Sequence, residues 1–292
     1  MAAATRKPRT HRVFFYLSAA LNMTACIAYF TMGSNLGWTP IDVEFRRSNP
    51  VVAGINRSIF YVRYVDWFVT TPLLLLDLML TAALPWSTIA YVVFLDEVMI
   101  VTGLVGALVK TRYKFGFYAF GCAAMLVIFY ELAVSGRKHA KALGNDVHRT
   151  FLMCGVWTLA IWALYPVAWG LSEGGNVIAP DSEAVFYGIL DFCAKPIFSA
   201  LLIWGHWNID PSRLGLRITD YDANTHEKHP HNNHYGTPVN GTSGATATAG
   251  AAVGQHGLGQ TTGHHATVAD GTTTQRHADT AGTHAPHVDN NV

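Results

Sequence analysis

The residues that invite chemistry are ionisable groups set inside long apolar runs. The stretch IFYVRYVDWFVTTPLLLLDLML carries Arg63, Asp66 and Asp77. At 100° per residue, an eleven-residue separation returns Asp77 to the face of Asp66, about 16 Å further along a helix axis. Arg63 lies one turn before Asp66 on that side, and Thr70, four residues after it, is within hydrogen-bonding reach. Two carboxyls spaced along one buried face suit a proton relay, with burial tuning the affinity of each. An Arg63–Asp66 ion pair would serve structure alone, but it leaves Asp77 unaccounted for. A second run, GILDFCAKPIFSALLIW, places Asp191 and Lys195 four residues apart and so on one face. A lysine in mid-membrane must pair, snorkel or be covalently modified. With a long apolar stretch beyond it, Lys195 is badly placed to snorkel, and desolvation favours a lysine that condenses with a carbonyl. The alternative at this stage is a plain Asp191–Lys195 salt bridge.

The elements that must position these groups are membrane helices. Half of the 292 residues are apolar and 13% are charged, well below the quarter usual in soluble domains. Six apolar segments stand out, at about 13–33, 58–84, 87–109, 115–134, 151–171 and 184–208. Their length fits helices rather than barrel strands. The expected architecture is therefore an all-α integral membrane bundle spanning 13–208, after a basic segment 1–12 and before a disordered His/Thr/Gly-rich tail 209–292. That tail carries ten of the fourteen histidines and has no apolar periodicity to offset its ordering. The stretch from Gly136 to Arg149 reads as a polar connection. Arg57 and Lys114 read as connection charges on the opposite side, Arg57 within an Asn56-Arg57-Ser58 glycosylation sequon set close to the next helix. The Lys/Arg bias puts both termini in the cytoplasm. The net charge of +1 and the lack of a basic face argue against nucleic acid. Cys26, Cys122, Cys154 and Cys193 lie singly in apolar runs, and no metal site is expected. Trp162, Tyr165 and Trp169 share one helix face, and Trp67 adjoins Asp66. Such stripes are commonly packing, but beside a buried lysine they read as walls for a flat ligand.

RYVDWFVTTPLLLLDL resembles the third-helix signature of the microbial (type I) rhodopsins, and LDFCAKP resembles their retinal-lysine helix. TGLVGAL, WALYPVAWG and the SEG turn also match, so that the resemblance runs from about Arg12 to His206 and is nearest to fungal proton pumps. The six segments correspond to the second through seventh helices of the seven-helix family, with no counterpart for the first. The resemblance implies a light-driven outward proton pump, not an enzyme, with all-trans retinal as a protonated Schiff base on Lys195. It implies Asp66 as proton acceptor, Asp191 as second counterion, Arg63 below them and Asp77 as proton donor. Glu173 and Glu183 would be the paired release carboxyls of the outer face. Tyr29, Tyr64, Trp67, Thr70, Thr71, Met99, Trp162, Tyr165 and Trp169 would line or brace the pocket, Asp96 would be a buried partner in the next helix, and Ser18 would lie near Asp77.

The Asp66, Thr70, Asp77 set decides between subclasses by the same resemblance: chloride pumps lack the acceptor, sensory members usually lack the donor, and retinal-free relatives lack the lysine. Departures are Phe117 and Tyr118, where a Trp pair is usual, and one residue fewer between Trp169 and Glu173. Protons and membrane lipid are the expected partners, the plasma membrane the expected location, and a homo-oligomer is left open. The rival readings are a photosensor signalling through its cytoplasmic side, a retinal-free proton-coupled transporter, and a truncated opsin that does not pump.

Overall fold

The computed structural model describes residues 12–216. Six helices are long and apolar enough to cross a membrane: α1 (Val13–Gly33), α2 (Tyr61–Thr81), α3 (Trp86–Leu108), α4 (Lys114–Ala142), α5 (Asn145–Gly174) and α6 (Pro180–Gly205). Each packs on its neighbours in chain order, and α6 closes back on α1. α2 also touches α5. It is the most enclosed span, 61% of its apolar window being buried against 28–44% for the others. The helix richest in ionisable groups is thus the one furthest from lipid, the placement such groups require. The outward faces carry bare apolar side chains, among them Phe30, Phe94, Leu126 and Phe192, which lipid can cover.

The all-α expectation needs one addition. β1 (Thr39–Asp42) and β2 (Asn56–Ile59) form an antiparallel hairpin, Thr39 opposite Ile59 and Asp42 opposite Asn56. It fills the connection between α1 and α2, so Ser58 and Ile59 belong to a strand and α2 begins only at Tyr61. The chain turns into the hairpin through Gly37, at φ +73°, where an added Cβ would stand 2.7 Å from the Val62 side chain. Only glycine suits both conditions. The hairpin marks one end of the bundle. The opposite end carries the turns after Thr81 and Ala142 and the last described residues.

Two expected boundaries also move. The polar stretch 136–149 is helical except at Leu143–Gly144, because a helix can continue past the apolar layer with charged residues on its exposed side while Ala140 and Val147 stay buried. A search for apolar runs stops where the hydrocarbon would, not where the backbone does. The expected tail does not begin at Ile209: Ile209 and Leu214 are buried in the core, with a 3₁₀ turn at Pro211–Leu214. Residues 1–11 and the histidines beyond 216 lie outside the described residues.

Leu75, Leu78 and Met79 on α2 are wholly buried beside Phe198 and Leu202 of α6 in one apolar cluster. Leu78→Ala should cost about 2–5 kcal/mol, the range for a buried leucine whose site collapses only partly. Reversible unfolding in mixed micelles would measure it, with exposed Leu126→Ala as the near-neutral control.

Candidate functional site

The i,i+4 spacing in α6 does bring Asp191 and Lys195 together: Lys195 Nζ lies 3.0 Å from Asp191 Oδ1. α2 supplies a second carboxylate from across the bundle, with Asp66 Oδ2 2.5 Å from the same nitrogen. All three side chains are buried. Asp191 is saturated. Tyr29 Oη donates to its Oδ2 at 2.6 Å, while Tyr165 Oη and Trp67 Nε1 donate to its Oδ1 at 2.7 and 3.1 Å. Asp66 is not: its Oδ1 meets no hydrogen-bond partner. Thr70 does not supply one, since its hydroxyl donates to the Asp66 main-chain oxygen at 2.8 Å. In a helix a threonine hydroxyl readily bonds the carbonyl one turn back, and Thr71 does the same to Trp67 while also donating to Asp96 Oδ2 at 2.7 Å.

Lys195 opens into a cavity whose walls come from α2, α3, α4, α5 and α6. Of the residues expected to line or brace a ligand, Tyr64, Trp67, Thr70, Thr71, Met99, Trp162, Tyr165, Trp169 and Lys195 lie on it, while Tyr29 does not and instead reaches Asp191 from α1. Trp67 and Tyr165 meet edge to face, and Tyr118 stacks on Trp169 with ring centroids 5.1 Å apart. Tyr118 stands where a tryptophan is usual and still supplies an aromatic wall. Sequence reasoning passed over Gly103, Gly121, Cys122 and Met125, which also line the cavity. At Gly121 an added Cβ would come within 3.1 Å of Thr102 Oγ1. A glycine at a helix crossing has no periodic signal of its own.

Toward the hairpin end lies a second buried cluster. Arg63 does not pair with Asp66. Its Nη1 donates to Glu183 Oε1 at 2.6 Å and lies 3.6 Å from Glu173 Oε1, with the guanidinium over the Tyr187 ring. One turn toward the hairpin from Asp66, it is therefore withdrawn from the Lys195 charges. Glu173 is carried inward by a π turn, Gly170–Gly174, and accepts from Tyr64 Oη and Tyr187 Oη, both at 3.1 Å. The two glutamates expected as a pair thus share one arginine.

Two members of this cluster were misread as connection charges. Arg57 is 4% exposed and donates from Nε and Nη2 to Glu183 Oε2 at 3.2 and 2.6 Å. Lys114 is equally buried and donates from Nζ to the Glu173 main-chain oxygen at 2.7 Å. For Arg57 a signal existed: in a strand the side chain two residues from the core residue Ile59 shares its face.

At the other end Asp77 is wholly buried, and neither carboxyl oxygen has a hydrogen-bond partner. Ser18 is also buried with its hydroxyl unpartnered. Thr81 Oγ1 donates to the Asp77 main-chain oxygen at 2.6 Å and lies 3.1 Å from His206 Nε2.

A sequence model of the family described as "Bacteriorhodopsin-like protein" matches residues 1–209. The chain belongs to the bacteriorhodopsin-like family. The opsin-like protein carO of Fusarium fujikuroi is 66% identical to it over 227 residues, covering 78% of this chain and 74% of that protein. Among solved structures, the light-driven proton pump LR (Mac) from Leptosphaeria maculans superposes with a TM-score of 0.67 at 31% identity, covering 71% of this chain and 88% of that one. Coccomyxa subellipsoidea rhodopsin CsR, also a light-driven proton pump, does so with a TM-score of 0.65 at 34% identity, covering 70% and 87%. Membership implies, in general terms, a retinal chromophore and a lipid environment. The residues present fit such a group. An aromatic cavity with few polar walls adjoins a buried primary amine, and the amine lies between two carboxylates that can balance a cationic nitrogen.

Proposed function

We propose that this bacteriorhodopsin-like chain is a light-driven outward proton pump with all-trans retinal held on Lys195. The observation that carries the reading is the unequal pair of carboxylates at Lys195 Nζ, with a third buried carboxyl, Asp77, nearer the opposite end of the same helix. Held by Lys195 as a protonated Schiff base, retinal would supply light absorption and, on isomerising, a weaker hold on the nitrogen's proton. Asp191 has donors on both oxygens and remains the fixed counterion. Asp66, with Oδ1 free of donors, is the carboxylate with room for the proton leaving Lys195. From Asp66 the charge change is felt by Arg63 and the buried cluster around it, from which a proton leaves at the hairpin end. Asp77 returns a proton to the Lys195 nitrogen from the other side, and its lack of hydrogen-bond donors favours a neutral, proton-carrying carboxyl. This direction assigns the hairpin end to the outside and both termini to the cytoplasm, with the plasma membrane as location.

The test is illumination of intact cells or oriented vesicles carrying the full chain and retinal. The expected result is acidification of the outer medium that a protonophore abolishes and that Asp66→Asn lowers by about 10²-fold or more, the usual worth of a positioned proton acceptor. A visible absorption band without any acidification would instead make the protein a photosensor. The likeness to two light-driven proton pumps supports the first outcome.

A further inference from the structure

The hairpin-end cluster treats its two glutamates differently. On Glu183, Arg57 fills Oε2 with two N–H donors and Arg63 fills Oε1 with a third, at 2.6 Å. A guanidinium only donates, so both lone pairs of Oε2 face donors and neither oxygen has an acceptor for a carboxylic O–H among its partners. Glu173 meets phenols instead, Tyr64 on one oxygen and Tyr187 on the other. A phenol both donates and accepts, so a proton on either oxygen finds an acceptor once that hydroxyl turns. No cation donates a hydrogen bond to the Glu173 carboxyl among the described residues. Arg63 stands 3.6 Å away, and Lys114 Nζ is directed to the Glu173 main-chain oxygen.

We propose that Arg57 fixes Glu183 as a permanent carboxylate and so leaves Glu173 as the single glutamic acid of this cluster that takes up and gives off a proton. Arg57 acts through Glu183 and is a positioning residue. Its remaining bonds, from Nη1 to Asn176 Oδ1 at 2.9 Å and Ile178 O at 2.7 Å, lock the guanidinium plane against the turn between α5 and α6. The two glutamates then cannot share one proton, which departs from the paired release group that the sequence resemblance implies. For its use in proton exit the proposal rests on the pump reading. The charge states it assigns do not.

The experiment is a dark titration of the full chain in lipid, labelled with ¹³C at the glutamate carboxyls, between about pH 4 and pH 8, where carboxyls of ordinary and raised affinity change charge. Glu173→Gln and Glu183→Gln assign the two signals. In the wild type the Glu173 signal should move with pH while that of Glu183 stays at its ionised position. Arg57→Gln should make the Glu183 signal titrate, and Arg57→Lys, which keeps the charge, should restore the wild-type behaviour more than halfway. A Glu183 signal that titrates in the wild type overturns the proposal, as does an Arg57→Gln protein with both signals unchanged. Should Arg57→Gln fail to fold, the wild-type titration decides alone. Absence of light-driven transport would refute the pump while leaving the dark result to stand. In a pumping protein, Glu173→Gln should delay the appearance of the proton outside by about 10²-fold.

Discussion

Lys195→Ala, expressed with all-trans retinal beside the wild type, should lose the whole visible absorption band and all light-driven proton movement. The expectation rests on there being no substitute amine. Among the described residues the aromatic cavity has one lysine in its wall, and the other buried lysine, Lys114, lies in the hairpin-end cluster with its nitrogen on the Glu173 carbonyl. The variant should still fold. Alanine removes the cation but leaves Asp191 with three donors, from Tyr29, Tyr165 and Trp67. Asp66 is left less well served, and a buried carboxyl without a counter-charge is costly unless it is protonated. The fold should therefore survive with Asp66 neutral. Free retinal added together with an alkylamine, which can condense in the cavity, should bring back part of the band. A visible band in Lys195→Ala without added amine would overturn Lys195 as the site of attachment.

How much of this was legible beforehand depended on whether a residue's partner lay on its own helix. Asp191 and Lys195 could be joined from sequence because four residues on a helix define a shared face, and the same periodicity placed Asp66 and Asp77 on one side of α2. Contacts between helices carry no such spacing rule. Nothing in RYVDW says that Arg63 reaches Glu183, 120 residues later, rather than Asp66 three residues away. The nearer partner was a natural candidate, and it lost because Asp66 is directed to Lys195 while the hairpin end offers two carboxylates. Arg57 and Lys114 were misjudged for a related reason. A charge in a short connection is usually solvated, and only the folding of the hairpin over the bundle end turns these two inward. The helix count and fold class were legible because lipid imposes length and composition on each span separately. The hairpin was not, since four-residue strands paired across a polar loop have too little pattern to be seen.

Asp77→Asn should leave the visible band close to that of the wild type and slow the return of the proton to Lys195 by about 10²-fold or more. The two effects separate because of distance. Asp77 lies eleven residues from Asp66 along α2, about 16 Å on a helical rise, too far to touch the charges that set the colour. Asp66→Asn should do the reverse, shifting the band by removing one of the two carboxylates at the nitrogen. Asparagine at 77 keeps the volume of the side chain and removes its exchangeable acid proton. Among the described residues, the buried segment around it, with Leu74, Leu75 and Leu78 on the same helix, offers no second carboxyl. Azide, a small weak acid able to enter such a region, should restore the rate in proportion to its concentration. With the donor present the recovery should be nearly independent of pH near neutrality. With asparagine it should slow about tenfold for each unit the pH rises, because the proton must then come from solution. An Asp77→Asn protein that recovers at the wild-type rate at every pH would remove Asp77 from the proton path and leave its burial without a purpose in the pump.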